Sequence, residues 1–107
     1  MATDHISIGM VGAGRASELH LNALKRFSEF PVHLRHIVAP RAGQVNAMKE
    51  RFGFEKASSD FQDLLRDPEI DVIDICTPPY VHEEMIEAAL AAGKHVICEK
   101  PLTDYFG

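Results

Sequence analysis

Two stretches of this 107-residue chain carry residue types whose spacing could serve chemistry, one near each end. In "IGMVGAGRASELH", Gly12, Gly14 and Ser17 fall in the G-x-G-x-x-[G/A/S] spacing, directly after an apolar run and at the start of a helix-period segment. Gly12 permits a tight turn, Gly14 lets the backbone approach a pyrophosphate, and a small third residue lets helix and strand pack closely. With Ala13, Arg15 and Ala16 they form the turn and first helical residues, whose unpaired N–H groups can meet an anion. Two glycines often make only a turn, but the strand–turn–helix context favours dinucleotide binding. At the other end, "HVICEKPL" leaves a strand for Glu99, Lys100 and Pro101, and ligands of open α/β sheets bind outside the carboxyl ends of strands.

The end of the second strand tests the cofactor. An NAD site usually supplies a carboxylate there for the adenosine ribose hydroxyls. From Pro31 to Lys49 the chain has no Asp or Glu, whereas Arg41 follows Pro40 where a guanidinium could take a 2′-phosphate in bidentate fashion. The residues therefore lean to NADP over NAD, against the simpler reading of Arg41 as a solvated helix-start residue. Thr77 and Pro78 end the fourth strand on the ligand side of the sheet, and His82 lies in the first turn of the next helix, within reach of the same crevice. Packing or cofactor contact would each account for His82. The remaining histidines have no metal-ligand spacing, His20 reads as structural, and no metal site is implied.

The elements that must position these residues alternate strand and helix, the pattern of βαβ units around a parallel sheet. Strands are expected over about Ile6–Val11, Val32–Ala39, Ile70–Thr77 and Lys94–Cys98, with "FEKA" at most a short edge strand. Helices are expected from the glycine turn to about Glu29 with Leu19, Ala23, Leu24 and Phe27 on the buried face, over Ala42–Arg51 capped by Gly53, around Phe61–Leu65 capped by Asp60 or Ser59, and after Pro79 with Val81, Met85, Ala88, Ala89 and Ala92 inward. The expected fold class is thus α/β: a three-layer parallel Rossmann-type sheet, incomplete at its C-terminus. Asp74, a carboxylate inside the most apolar strand, needs a hydrogen-bonding neighbour or an exposed position.

Bulk properties narrow the partners. With 46% hydrophobic and 25% charged residues, one domain and one core are expected. A net charge of −5 with no basic cluster argues against nucleic acid or anionic membrane, and no apolar run approaches the ~18 residues of a membrane span. The expected location is cytoplasmic. Cys76 and Cys98 read as small buried hydrophobes with no evident partner base. An unpaired final strand edge suggests a homo-oligomer.

"VGAGRASELH" together with "DICTPPYVHEEMIEAALAAGKHVICEKPL" resembles the N-terminal nucleotide-binding domain of the Gfo/Idh/MocA oxidoreductase family, named for glucose-fructose oxidoreductase and inositol dehydrogenase. The resemblance covers essentially the whole chain. It implies hydride transfer between a nicotinamide dinucleotide and a sugar, polyol or related carbonyl compound, with Lys100 as the catalytic lysine beside the nicotinamide and the reacting oxygen. It also implies a second, substrate-binding domain that residues 1–107 do not include, so the expectation is a fragment of an enzyme, inactive alone. The alternative is a non-catalytic nucleotide-binding or redox-sensing module.

Overall fold

The computed structural model describes residues 5–27 and 31–98. Five strands form one parallel sheet: β1 (Ile6–Val11), β2 (Val32–Val38), β3 (Lys56–Ser58), β4 (Val72–Ile75) and β5 (His95–Cys98), in the order β3-β2-β1-β4-β5. The helices are α1 (Arg15–Phe27), α2 (Ala42–Phe52), α3 (Gln62–Leu65) and α4 (His82–Ala91), the last preceded by a 3-10 turn at Pro79–Val81. Sequence order reverses across β1: β2 and β3 build to one side, β4 and β5 to the other. The switch in strand order therefore falls between β1 and β4, and the carboxyl ends of these strands frame the crevice where open α/β sheets take ligands.

Successive strand residues alternate between two apolar layers, as the period of two requires. Met10 and Ile37 pack with Leu21 of α1 and Val45, Met48 and Phe52 of α2, while Val11, Val38, Ile73 and Ile75 pack on the opposite face with Leu64 and Ala89. Burying each large apolar side chain contributes about 1.5–3 kcal/mol, so this two-sided sheet carries the stability of the domain. The expected three-layer α/β class is therefore observed.

The strands and most of the inner face of α4 fall close to their expected places, but the inner face of α1 does not. Leu19 is 59% exposed and Ala23 is exposed, while Ser17 and Leu21 are buried, so α1 is rotated relative to the apolar pattern. The small Ser17 wins the inner position because α1 must lie close against the glycine turn. In α4 Ala89 is buried and Val81, Met85 and Ala88 are half-buried as expected, while His82 joins the buried positions and Ala92 is exposed. Gly53 does cap α2: at φ 84° it donates its N–H to the Lys49 carbonyl. Asp60 accepts the Gln62 N–H at the start of α3. Lys94 is buried just before β5, where its ammonium donates to the Asp67 and Ile70 carbonyls.

Candidate functional site

The crevice starts from one close approach. Gly12 has φ 109°, and a Cβ there would lie 2.5 Å from the carbonyl oxygen of Cys76. Only glycine fits that backbone conformation and that contact, so the turn after β1 rests directly on the end of β4. Hydrogen bonds fasten both sides: Gly12 N–H donates to the Val38 carbonyl and Cys76 N–H to the Val11 carbonyl, each at 2.8 Å. Ser17 is fully buried and its hydroxyl donates to the Gly12 carbonyl at 2.8 Å, closing the turn onto the first turn of α1. Gly14 lies on the open side, exposed, and a Cβ there would meet no atom within 4 Å. Such an open, Cβ-free backbone at the N-terminus of a 13-residue helix fits the approach of a pyrophosphate. Ala13 is buried beneath the turn, while Arg15 is exposed and Ala16 half-buried at the helix start.

The opposite wall comes from the loop after β4. Thr77 is half-buried, its hydroxyl directed at the Met85 sulfur at 3.7 Å, and Pro78 is exposed. His82 is 2% exposed, and its Nε2 pairs with the Thr77 carbonyl while Nδ1 faces the Cys98 thiol at 3.3 Å. A carbonyl only accepts, so Nε2 carries the proton and Nδ1 is left to accept from the thiol. The ring is thus turned into the protein, and His82 acts on the crevice by holding the Thr77 loop rather than by presenting its ring to it. Cys76 too has a histidine beside it, His20 Nδ1 at 3.4 Å, so both cysteines have a neighbouring imidazole that sequence reasoning did not find.

Arg41 stands beyond the end of β2, exposed and in extended conformation at the start of α2, and its side chain makes no helix cap. Arg35 is committed elsewhere, to Glu55 at 2.7 Å and Asp67 at 2.9 Å. Glu99, Lys100 and Pro101 lie outside the described residues.

Asp74 has the partner its burial demands. It is 1% exposed, and His20 Nδ1 lies 2.8 and 3.0 Å from its two oxygens. The Cys76 thiol donates to Asp74 Oδ1 at 3.4 Å, and burial followed by the Asp74 charge pushes that thiol well above its ordinary range. His20 and Asp74 are 54 positions apart, so no local spacing announced the pair. Among the described residues, no helix is long and apolar enough to cross a membrane.

A family model described as "Oxidoreductase family, NAD-binding Rossmann fold" matches residues 6–106. The chain is 38% identical over 101 residues to the uncharacterized oxidoreductase YrbE of Bacillus subtilis, an alignment that covers 94% of this chain and 29% of that protein. A solved structure of levoglucosan dehydrogenase in complex with NADH matches with a TM-score of 0.81 at 35% identity, over 92% of this chain and 28% of that one. Apo scyllo-inositol dehydrogenase from Lactobacillus casei matches with a TM-score of 0.85 at 32% identity, over 96% of this chain and 30% of that one. The chain therefore spans less than a third of the length of these relatives.

Proposed function

Because this chain belongs to the Gfo/Idh/MocA family of oxidoreductases, with its NAD-binding Rossmann fold, we propose that it binds a nicotinamide dinucleotide across the β1–β4 crevice as the cofactor-holding part of a sugar or polyol dehydrogenase. The observation that carries the reading is the glycine turn: Gly12 packed against Cys76, with Gly14 open above the N-terminus of α1. Backbone N–H groups of Ala13 to Ala16 would hold the pyrophosphate, and Thr77 and Pro78 would border the nicotinamide side. His82 would keep that border in place.

When bound, a nicotinamide dinucleotide supplies a hydride donor or acceptor. Lys100 would stand at the reacting oxygen, where an ammonium can polarise a carbonyl or stabilise an alkoxide and exchange a proton with it. The names levoglucosan dehydrogenase and scyllo-inositol dehydrogenase among its relatives support a sugar or polyol as the class of substrate. Residues 1–107 alone are expected to show no turnover.

The finer cofactor reading is a lean to NADP. An exposed Arg41 at the end of β2, with no carboxylate from Pro31 to Lys49, leaves a cation and no acid for the 2′ position. Direct titration by nicotinamide fluorescence tests both levels. Saturable binding of either reduced dinucleotide, NADPH the tighter, is expected; no binding of either would sink the cofactor reading, and tighter NADH would sink the lean alone.

A further inference from the structure

Among the described residues, one cluster outside the crevice gathers three different metal-binding side chains: His20 from α1 and Asp74 and Cys76 from the end of β4. Asp74 and Cys76 are two positions apart and so project to the same face of the sheet, and His20 reaches down onto them from the helix. The donor atoms form a triangle with edges of 2.8 Å (Nδ1 to Oδ1), 3.4 Å (Sγ to Nδ1) and 3.4 Å (Sγ to Oδ1). Tetrahedral zinc bonds of about 2.3 Å to sulfur and about 2.0–2.1 Å to nitrogen and oxygen place such donors roughly 3.4–3.6 Å apart. Two edges already lie within about 0.2 Å of those spacings, and the third must open by roughly 0.6 Å, the change expected when a metal replaces a hydrogen bond.

We propose that His20, Asp74 and Cys76 form a binding site for a tetrahedral divalent metal of the zinc class. The donor set selects it: thiolate with imidazole and one carboxylate suits zinc or cobalt and is a poor match for magnesium or calcium, which take oxygen ligands. Three protein ligands would leave the fourth position to water, and His20, 14% exposed, is the ligand through which the cluster borders solvent. Binding is a substitution of metal for protons. The Cys76 S–H proton leaves to solvent, and the His20 Nδ1 proton leaves or moves to Nε2, so that sulfur and nitrogen each offer a lone pair. The metal would tie α1 to the end of β4 directly behind Gly12, whose close contact is the Cys76 carbonyl.

Cobalt titration of the full, reduced and chelator-treated chain tests the site, because Co2+ bound to thiolate gives a near-ultraviolet charge-transfer band. One equivalent is expected to produce the band, Zn2+ to abolish it, Cys76→Ser to remove it, His20→Asn to weaken cobalt affinity at least tenfold, and Cys98→Ser to leave it intact. No band at excess Co2+, or a band that survives Cys76→Ser or vanishes in Cys98→Ser, overturns the proposal. Should Cys76→Ser fail to fold, the wild-type chain decides: Zn2+ must raise its melting temperature, and His20→Asn must lose that rise. An unchanged melting temperature overturns it equally.

Discussion

The two ends of the crevice are built on different principles. Where β1 meets β4, backbone touches backbone: the Gly12 turn lies on the Cys76 carbonyl, Ser17 locks it from inside, and buried Asp74 with half-buried His20 and Cys76 lies behind it. At the end of β2, one exposed arginine stands over an open surface and no side-chain bond fixes it to its helix. The first end is part of the core, so its shape exists before any ligand arrives and any change there is felt by the whole fold. The second end can change without consequence for folding, which is where selectivity between similar ligands can be adjusted cheaply.

If that contrast holds, the largest effect belongs to Gly12→Ala. A Cβ would sit 2.5 Å from a backbone carbonyl, in a φ region that L residues avoid, and backbone on both sides is pinned by hydrogen bonds. We expect a loss of about 3 kcal/mol or more, read by urea denaturation, together with loss of dinucleotide binding. A variant as stable as the wild type would mean that the turn is not seated on β4.

Asp74→Ala comes next. It leaves His20 facing a cavity and removes the acceptor of the Cys76 thiol, with an expected cost of about 3 kcal/mol by the same measurement. A cost below about 1 kcal/mol would show that the pair does not brace α1 against the sheet, and would move this end of the crevice toward the behaviour of the other.

The packed end was also the less legible one in sequence, apart from its glycines. The glycine spacing and the apolar strand runs record local constraints, and both recover the turn and the sheet in their right places. The burial of Ser17 and His82, and the inward turn of half-buried His20, depend on what lies across from them. An apolar pattern therefore put Leu19 and Ala23 on the inner face of α1 where Ser17 and Leu21 lie, and in α4 it recovered Ala89 but put Ala92 inward and left His82 undecided. Asp74 announced a need for a partner without naming it, because the partner is on another element. Arg41 was readable in both identity and exposure, since nothing distant acts on it.

A pH-dependent effect of intermediate size separates β2 itself from its exposed end. His36 is buried in β2, with Nε2 at 2.8 Å from the Ser58 hydroxyl, which in turn donates to Asp63. Burial holds its imidazole below the ordinary range, the charged neighbours contributing less. The unfolded chain therefore binds this proton more readily than the folded one. Stability from this group is full above the ordinary imidazole value of about 6.5 and falls as the pH descends from there toward the lower folded value. The urea midpoint should drop between pH 7 and pH 5 by more in the wild type than in His36→Gln. Parallel slopes would contradict a buried, neutral His36.

Arg41→Ala should have the smallest effect on folding, because the side chain is exposed and caps nothing. Its effect on ligand choice should be plain. A guanidinium facing a 2′-phosphate at an exposed site contributes on the order of 1 kcal/mol, so NADPH binding should weaken roughly fivefold while NADH binding and the urea midpoint stay where they were. The comparison between the two ends turns on that pattern. If Arg41→Ala destabilises the fold, the β2 end is part of the core after all. If it weakens both dinucleotides equally, Arg41 acts through general charge, and the 2′ position is read by other residues.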